Sequence, residues 1–421
     1  MQWRQMLAQR REWAMVFLVL VAGLVAGCAR VASVLATPSP ASFPTAAPPT
    51  SLPTTTPVPL PTTTPVPLPT ATPAPSPTVA PEPTWRQVQR LTVAEQRWPS
   101  AVGLRSDARQ VAVGTYWRIG APYSEIVPLV QVWNIGQEKP VWEARPQGLT
   151  ATNGARIKEV RWLPKAQKWL VLGGNEEGWR FILLDPQNGQ TVWSQQEGWP
   201  PDDDWDPQAV VNPVTNELWF NTPGFMLKRL NLQDLSTVKT VDLAPNQANC
   251  CMVYALTVHD GRMWAVAREL YVTHYKLLSW PLEGGPVTQV DLPELPSNGL
   301  IRDMAFNDRG ELAIIFWSFT LGEPSDTTAV QIKVFDPQTG EQISRWWREY
   351  DDTWSILWVP GEGWWVPWNF EVRIYPNASG KGRVWRDFDY NLAGLVMSED
   401  RRLMALYGVG KTGVVEIWEK H

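Results

Sequence analysis

The sequence predicts an all-β fold, a seven-bladed β-propeller occupying residues 85–421 behind a signal and a stalk. Three observations carry it. A hairpin signature recurs at a near-constant interval, each copy is preceded by a second hairpin, and the last copy lacks a strand that a segment near residue 85 can supply. The clearest hairpins are Phe181–Trp193 (FILLDPQNGQTVW) and Lys333–Trp346 (KVFDPQTGEQISRW). Each is a β-rich run, then Asp-Pro-Gln-x-Gly, then a second β-rich run with a tryptophan. Proline presets φ for the turn and glycine takes its left-handed position. Weaker copies start at Val130, Met226, Tyr275, Val372 and Val414. Their turn positions Asn134, Asp185, Asn231, Trp280, Asp336, Pro376 and Glu419 are separated by 51, 46, 49, 56, 40 and 43 residues. Repeats of roughly 40–50 residues are the spacing of propeller blades.

The preceding hairpins begin at Val102, Leu256, Met304 and Leu395, with polar turns SDAR, HDGR, NDRG and SEDR. Two hairpins make four strands, the content of one blade. The final unit stops at His421 after its third strand, while Trp85–Val93 (WRQVQRLTV) stands alone before the first complete unit. Pairing that strand with Val414–Trp418 closes the ring and removes a free sheet edge. A pair of β-sandwich domains is the alternative organisation.

The residues ahead of the repeats read as an address. Arg4, Arg10 and Arg11 precede an apolar run from Trp13 to Gly27, and Arg30 closes it. Fifteen residues fall short of the ~20 that span a bilayer, and a basic start with small residues at the end describes a secretory signal. The closing Val25-Ala26-Gly27-Cys28 resembles the lipobox of bacterial lipoproteins position by position. That resemblance implies a signal peptide at 1–27, cleaved before Cys28, and acylation of Cys28. It also implies an extracytoplasmic protein anchored to the cell membrane, since several acyl chains hold where one would not. An uncleaved membrane anchor is the other reading.

Residues 28–84 are then a lipidated stalk. From Thr37 to Thr84 proline dominates with threonine, alanine and serine, and PTTTPVPL occurs at Pro53 and again at Pro61. Proline fixes φ and has no N–H to donate, so neither helix nor sheet is expected. As polyproline II, about 48 residues reach on the order of 100–150 Å.

Composition excludes several functions. Setting aside Arg4, Arg10, Arg11, Arg30, Glu12 and Glu82 leaves 33 basic and 40 acidic residues in 85–421. A net −7 without a basic face argues against nucleic acid, whose phosphates need concentrated Lys and Arg. Three cysteines and three scattered histidines make neither a disulfide framework nor a zinc set. No Walker loop, dinucleotide fingerprint or Gly-x-Ser-x-Gly occurs, and no cofactor is expected. A monomer is expected.

The repeats resemble WD40-type propellers, and the Asp-x-x-x-Gly-then-Trp hairpins resemble those of quinoprotein propellers. Two departures stand: no Gly-His opens the units, and Trp-Asp occurs only at Trp205-Asp206. Quinone-dependent members include chains with adjacent cysteines beside the cofactor. Here Cys250-Cys251 could form a vicinal disulfide or remain free thiols, and the cofactor-ligand motif is missing.

Twenty-four of 26 tryptophans follow residue 84. Trp219, Trp264 and Trp317 recur in second strands, Trp133, Trp280 and Trp418 in third strands, and Trp142, Trp193, Trp346 and Trp385 in fourth strands. Repetition at equivalent places argues for packing between blades, whereas Trp199, Trp205, Trp354 and Trp368 fall near connections. In a propeller the links between blades share one face with the links between second and third strands. That face is expected to carry Trp98, Asn153, the acidic run Asp202, Asp203, Asp204, Trp205 and Asp206, Cys250-Cys251, Asn298, Asp351, Asp352, Trp354 and Asn391. The acidic run lacks the spaced aspartates of a calcium loop, so a metal is left open and a solvated loop is the plain alternative. The expected activity is non-enzymatic binding or scaffolding of a protein or a cell-wall polysaccharide. An extracytoplasmic polysaccharide hydrolase or lyase is the alternative, and it would need carboxylates with separated pKa values converging at the channel.

Overall fold

Each second strand carries consecutive apolar residues rather than an alternation, so each sheet has two faces to bury. The computed structural model describes residues 85–93, 97–118, 128–149, 156–175, 178–197, 208–222, 226–235, 238–242, 252–268, 274–295, 299–319, 328–349, 353, 355–377, 381–410 and 412–421. All lie in the second of the chain's two contact units, Thr78–His421. Cys28, Asn153, Asp202 to Asp206, Cys250, Cys251, Asn298, Asp351, Asp352 and Trp354 lie outside the described residues.

The described residues form strands and no helix, arranged as seven four-stranded antiparallel meanders. Blade 1 holds Arg97–Arg105, Gln110–Arg118, Leu129–Asn134 and Trp142–Ala144, and blade 2 holds Arg156–Leu163, Lys168–Asn175, Gly178–Leu184 and Thr191–Glu197. Blade 3 is Ala209–Asn212, Glu217–Asn221, Met226–Asn231 and Val238–Asp242, and blade 4 is Met252–His259, Arg262–Arg268, Tyr275–Pro281 and Thr288–Leu292. Blade 5 is Gly299–Phe306, Leu312–Phe319, Thr328–Phe335 and Gln342–Glu349. Blade 6 is Leu357–Val359, Gly363–Trp368, Glu371–Tyr375 and Arg383–Asp387. Blade 7 takes Asn391–Met397, Leu403–Val409 and Gly413–Lys420 from the C-terminus, and its outer strand is Trp85–Val93. That closing strand pairs from Trp85↔Lys420 to Val93↔Gly413, with one irregularity at Val88.

The described residues form seven apolar clusters, and each of these lies between two consecutive blades. In blade 2 Trp169 and Val171 pack toward blade 1, while Leu170 and Leu172 pack toward blade 3. Period-2 strand geometry turns the run KWLVL into one face for each neighbour. Blade 6 repeats the device: Trp364 and Val366 face blade 5, and Trp365 faces blade 7. The seventh cluster joins Leu91, Val93, Ala405 and Tyr407 to Val102, Val111 and Trp133 of blade 1, closing the ring. The tryptophans assigned to second, third and fourth strands occupy those strands. Trp368, read as lying near a connection, ends a second strand and is fully buried, its indole N–H donating to Tyr375 Oη at 3.2 Å.

The Asp-Pro-Gln-x-Gly turns are made twice in the same way. Asp185 Oδ1 accepts from Gln187 N at 2.8 Å and Asp185 O from Gly189 N at 2.9 Å. Asp336 accepts from Gln338 N and Gly340 N, both at 2.8 Å. Gly189 and Gly340 have φ of 73° and 75°. A Cβ on Gly340 would also fall 2.1 Å from Asp291 O of blade 4, so the turn and the approach of the neighbouring blade both require glycine.

Polar contacts fasten the closing strand on both sides. Trp85 Nε1 donates to Glu362 Oε2 of blade 6 at 3.3 Å, and Gly136 N of blade 1 donates to Gln89 Oε1 at 2.9 Å. Arg90 bridges exposed Asp389 at 2.8 Å and the buried carboxylate of Glu416 at 3.1 Å. Burial pushes Glu416 up, against the pull of Arg90 and Arg386. Deleting residues 1–84 is expected to leave a cooperative thermal transition, and deleting 1–95 to lower its midpoint or cause aggregation through the exposed edge of Gly413–Lys420. Arg90→Ala strands Glu416 and is expected to cost about 2–3 kcal/mol in urea titration. Asp389→Ala, at an exposed partner, should change that titration little.

Candidate functional site

First strands lie innermost in each sheet, and five of them share a defect. The register to the second strand skips Ser100, Lys158, Tyr254, Arg302 and Ala393 in blades 1, 2, 4, 5 and 7. A bulge leaves the extra residue unpaired, bends the strand and re-aims side chains. The residue after the bulge is Ala101, Ala255 or Gly394 in three blades and an acid, Glu159 or Asp303, in blades 2 and 5.

Asp303 feels the charge of Glu159 although their blades are three apart, which places both at the centre of the ring. The Asp303 carboxyl feels Lys158 and Glu159, and the Tyr407 hydroxyl of blade 7 feels Asp303 and Glu159. Gly394 lets Tyr407 approach: a Cβ there would lie 2.5 Å from its hydroxyl oxygen. Asp303 Oδ1 accepts from Met304 N at 2.8 Å, and Oδ2 accepts from Ile356 N of the blade 5–6 connection at 3.1 Å. Glu159 Oε1 lies 2.5 Å from the Arg161 guanidinium, a contact of charge without good hydrogen-bond geometry, and Arg161 also donates to Ala209 O of blade 3 at 3.2 Å.

Asp303 is half-buried by accessible surface, but protein surrounds it closely enough that lost hydration dominates its titration. Burial raises its carboxyl to about 6, outweighing the two backbone N–H groups and Lys158 that favour the anion. Burial, then Asp303 and Glu159, push the Tyr407 hydroxyl up. The axis therefore combines a carboxyl that exchanges its proton in the neutral range, an ion-paired carboxylate, an ammonium and a phenol held as a donor. Such a set can bind hydroxyl and amine groups or move a proton.

Of the residues expected on the linking face, Trp98 and Asn391 are described. Trp98 is the second residue of the first strand of blade 1, and Asn391 begins that of blade 7. The parallel course of first strands puts them at the same end of adjacent blades. Asn391 Oδ1 is buried without a hydrogen-bond partner, and Leu392 N donates to Asn369 O at 2.5 Å. Sequence reasoning singled out neither Glu159 nor Asp303. The signal was present, because Ile157-Lys158-Glu159-Val160 and Ile301-Arg302-Asp303-Met304 share an order of apolar, basic, acidic and apolar residues at equivalent positions. Among the described residues no three His, Cys, Asp or Glu side chains come together as a metal set.

No protein-family model matches the chain, and no curated protein sequence matches it. Solved structures do, 1032 chains in all, so the fold by itself selects no function. Raptor from Chaetomium thermophilum aligns with a TM-score of 0.53 at 9% identity, over 80% of this chain and 29% of that one. This chain thus spans under a third of Raptor. BamB from Moraxella catarrhalis aligns at 0.49 and 14% identity, over 80% of this chain and all of that one. At such identities the likeness to Raptor extends to the fold alone.

Asp303 makes a pH prediction. Its folded value of about 6 exceeds the ordinary 3.8, so the folded state holds the proton more tightly. The stabilisation is full below pH 3.8 and is lost as pH rises through about 6, on the order of 2–3 kcal/mol. Denaturant titrations of Asp303→Asn between pH 4 and 7 should lack that component of the wild-type slope; parallel profiles would contradict the assignment.

Proposed function

We propose that the chain is an extracytoplasmic lipoprotein, tethered to the bacterial membrane through Cys28, that presents its propeller on the 28–84 stalk as a binding or scaffold module. Its ligand is a protein or a cell-wall polysaccharide, engaged from the linking face toward the axial channel. The observation that carries the site is the convergence of Lys158, Glu159, Asp303 and Tyr407 from blades 2, 5 and 7. Three blades contribute to one point, the usual way a ring of repeats builds a site that no single repeat contains. The lipobox and the Pro/Thr composition support the tether.

A hydrolase or lyase acting on polysaccharide is the second reading, favoured by one observation. Asp303 titrates near 6 while Glu159 is ion-paired, and two carboxyls in unlike surroundings are what acid–base cleavage of a glycan requires. Against it, both acids sit midway along their strands, Glu159 fourth in Arg156–Leu163 and Asp303 fifth in Gly299–Phe306. At that depth a pendant group of a polysaccharide reaches them while the glycosidic bonds of its backbone do not.

Membrane fractionation tests the tether: Cys28→Ala should appear in the soluble extracytoplasmic fraction, and unchanged membrane retention would reject lipidation. Purified cell-wall polysaccharide tests the site. The wild-type chain should retain it intact, and the double variant Asp303→Asn, Glu159→Gln should lose retention at unchanged ellipticity. New reducing or unsaturated ends would move the conclusion to the second reading.

A further inference from the structure

We propose that the closing strand Trp85–Val93 is a tension clamp that regulates the axial site: it holds the ring shut against a pull between anchor and ligand, and its yielding releases the ligand. The inference rests on the reading above for where the pull enters and leaves.

Register fixes the direction of loading. The segment read as a stalk, 28–84, continues directly into Trp85. Trp85 pairs with Lys420, and the other end of the strand, Val93, pairs with Gly413. Val93 leads into Arg97, the start of blade 1, so Val93 and Gly413 lie at the linking face and Trp85 at the opposite one. A ligand held at the linking face and an anchor drawing on Trp85 therefore stretch the pair along its length. Hydrogen bonds between antiparallel strands run perpendicular to them, so this pull strains all of them together. A pull that parts Trp85 from Lys420 sideways opens them one at a time.

Side chains hold the strand on both flanks. Trp85 donates its indole N–H to Glu362 of blade 6, and the Lys420 ammonium sits 5.6 Å from the centre of its ring. Gln89 donates to Gln137 O of blade 1 at 2.7 Å and accepts from Gly136 N. Arg90 bridges Asp389 and the buried Glu416. Leu91 and Val93 share a cluster with Tyr407, whose hydroxyl belongs to the axial group. That cluster couples the clamp to the site. Withdrawing the strand unpacks the wall behind Tyr407 and strands Glu416, and an opened ring no longer holds blades 2, 5 and 7 about one point.

Force spectroscopy of the chain from Cys28 to His421, with one handle at Cys28, tests the clamp. Phe370, exposed between the second and third strands of blade 6, lies at the linking face. A second handle there, on p-azidophenylalanine in place of Phe370, loads the pair lengthwise; a second handle at His421 peels it. First rupture should need about twofold or more force lengthwise, because the bonds share the load. At constant lengthwise force Arg90→Ala should shorten the time to rupture about tenfold or more, since forced unfolding follows the unfolding rate and Glu416 loses its partner. Gln89→Ala, which keeps the Arg90 pair, should shorten it about threefold or more. Lys228→Ala strands the buried Glu197, 2.6 Å away, in blades off the loaded strand, and should leave the time unchanged. With immobilised cell-wall polysaccharide as the second handle, Arg90→Ala should shorten attachment by the same factor, and an unchanged attachment would overturn the coupling to the site. Equal rupture forces in the two geometries would overturn the clamp. So would unchanged times in both Arg90→Ala and Gln89→Ala, or an equal effect of Lys228→Ala. Failure of the polysaccharide to attach at all would count against the binding reading, and the two-handle forces would still decide the clamp.

Discussion

A four-stranded sheet whose second strand reads Trp169-Leu170-Val171-Leu172 has no face that water can cover. Each blade must be flanked on both sides, and its neighbour inherits the same demand, so the requirement ends only when the last blade meets the first. Ring closure is thus the constraint on which every other contact depends. Trp85–Val93 meets it by filling the outer place of blade 7 while Leu91 and Val93 join the cluster shared with blade 1. Magnitudes set the order of importance. Emptying the space of one buried tryptophan costs about 3–5 kcal/mol, whereas an exposed ion pair such as Arg105–Asp107 contributes about 0–1. The polar contacts at the seam set the register of the closing strand, and the apolar clusters supply its stability.

The seam also differs chemically from the other interfaces. Glu416 is carried into a wall that includes Tyr390 and Trp418, and its principal counter-charge, Arg90, comes from the other end of the chain. A buried carboxylate is costly when unpaired, so the C-terminal strands favour the N-terminal strand over a random apolar edge. Specificity of closure is placed in one charge pair, while strength is spread over the cluster.

Much of this was legible in the sequence. The Asp-Pro-Gln-x-Gly turns announced their hydrogen bonds, and the missing fourth strand after His421 announced the closing partner. The tryptophans at recurring strand positions proved to be packing residues, as recurrence implies. Trp368 does lie beside a connection, Asn369-Phe370, yet that turn is short and the tryptophan before it stays in the strand and is fully buried. The axial acids escaped notice for a different reason. Charged residues within an apolar strand read as solvent-facing alternation, and nothing local distinguishes Lys158-Glu159 from an exposed pair. Only the bulge, a property of register between two strands, turns Glu159 and Asp303 to the axis.

The bulges also explain why charge can collect at the centre of an otherwise apolar ring. Where five inner strands bend, the residue after the bulge packs toward the neighbouring blade, and it is small or gains something there. Ala101, Ala255 and Gly394 meet the first condition, and Gly394 makes room for Tyr407. Asp303 meets the second by taking two backbone N–H groups, one of them the Ile356 amide in the connection between blades 5 and 6. That bond ties two blades together at the axis, yet it does not offset lost hydration, since the carboxyl remains raised to about 6. Ionisation strengthens those two N–H bonds but makes burial of the carboxyl costly, and the burial outweighs the bonds. A ligand supplying positive charge or hydroxyl donors to Asp303 would offset that cost, which couples occupancy of the axis to the stability of the ring.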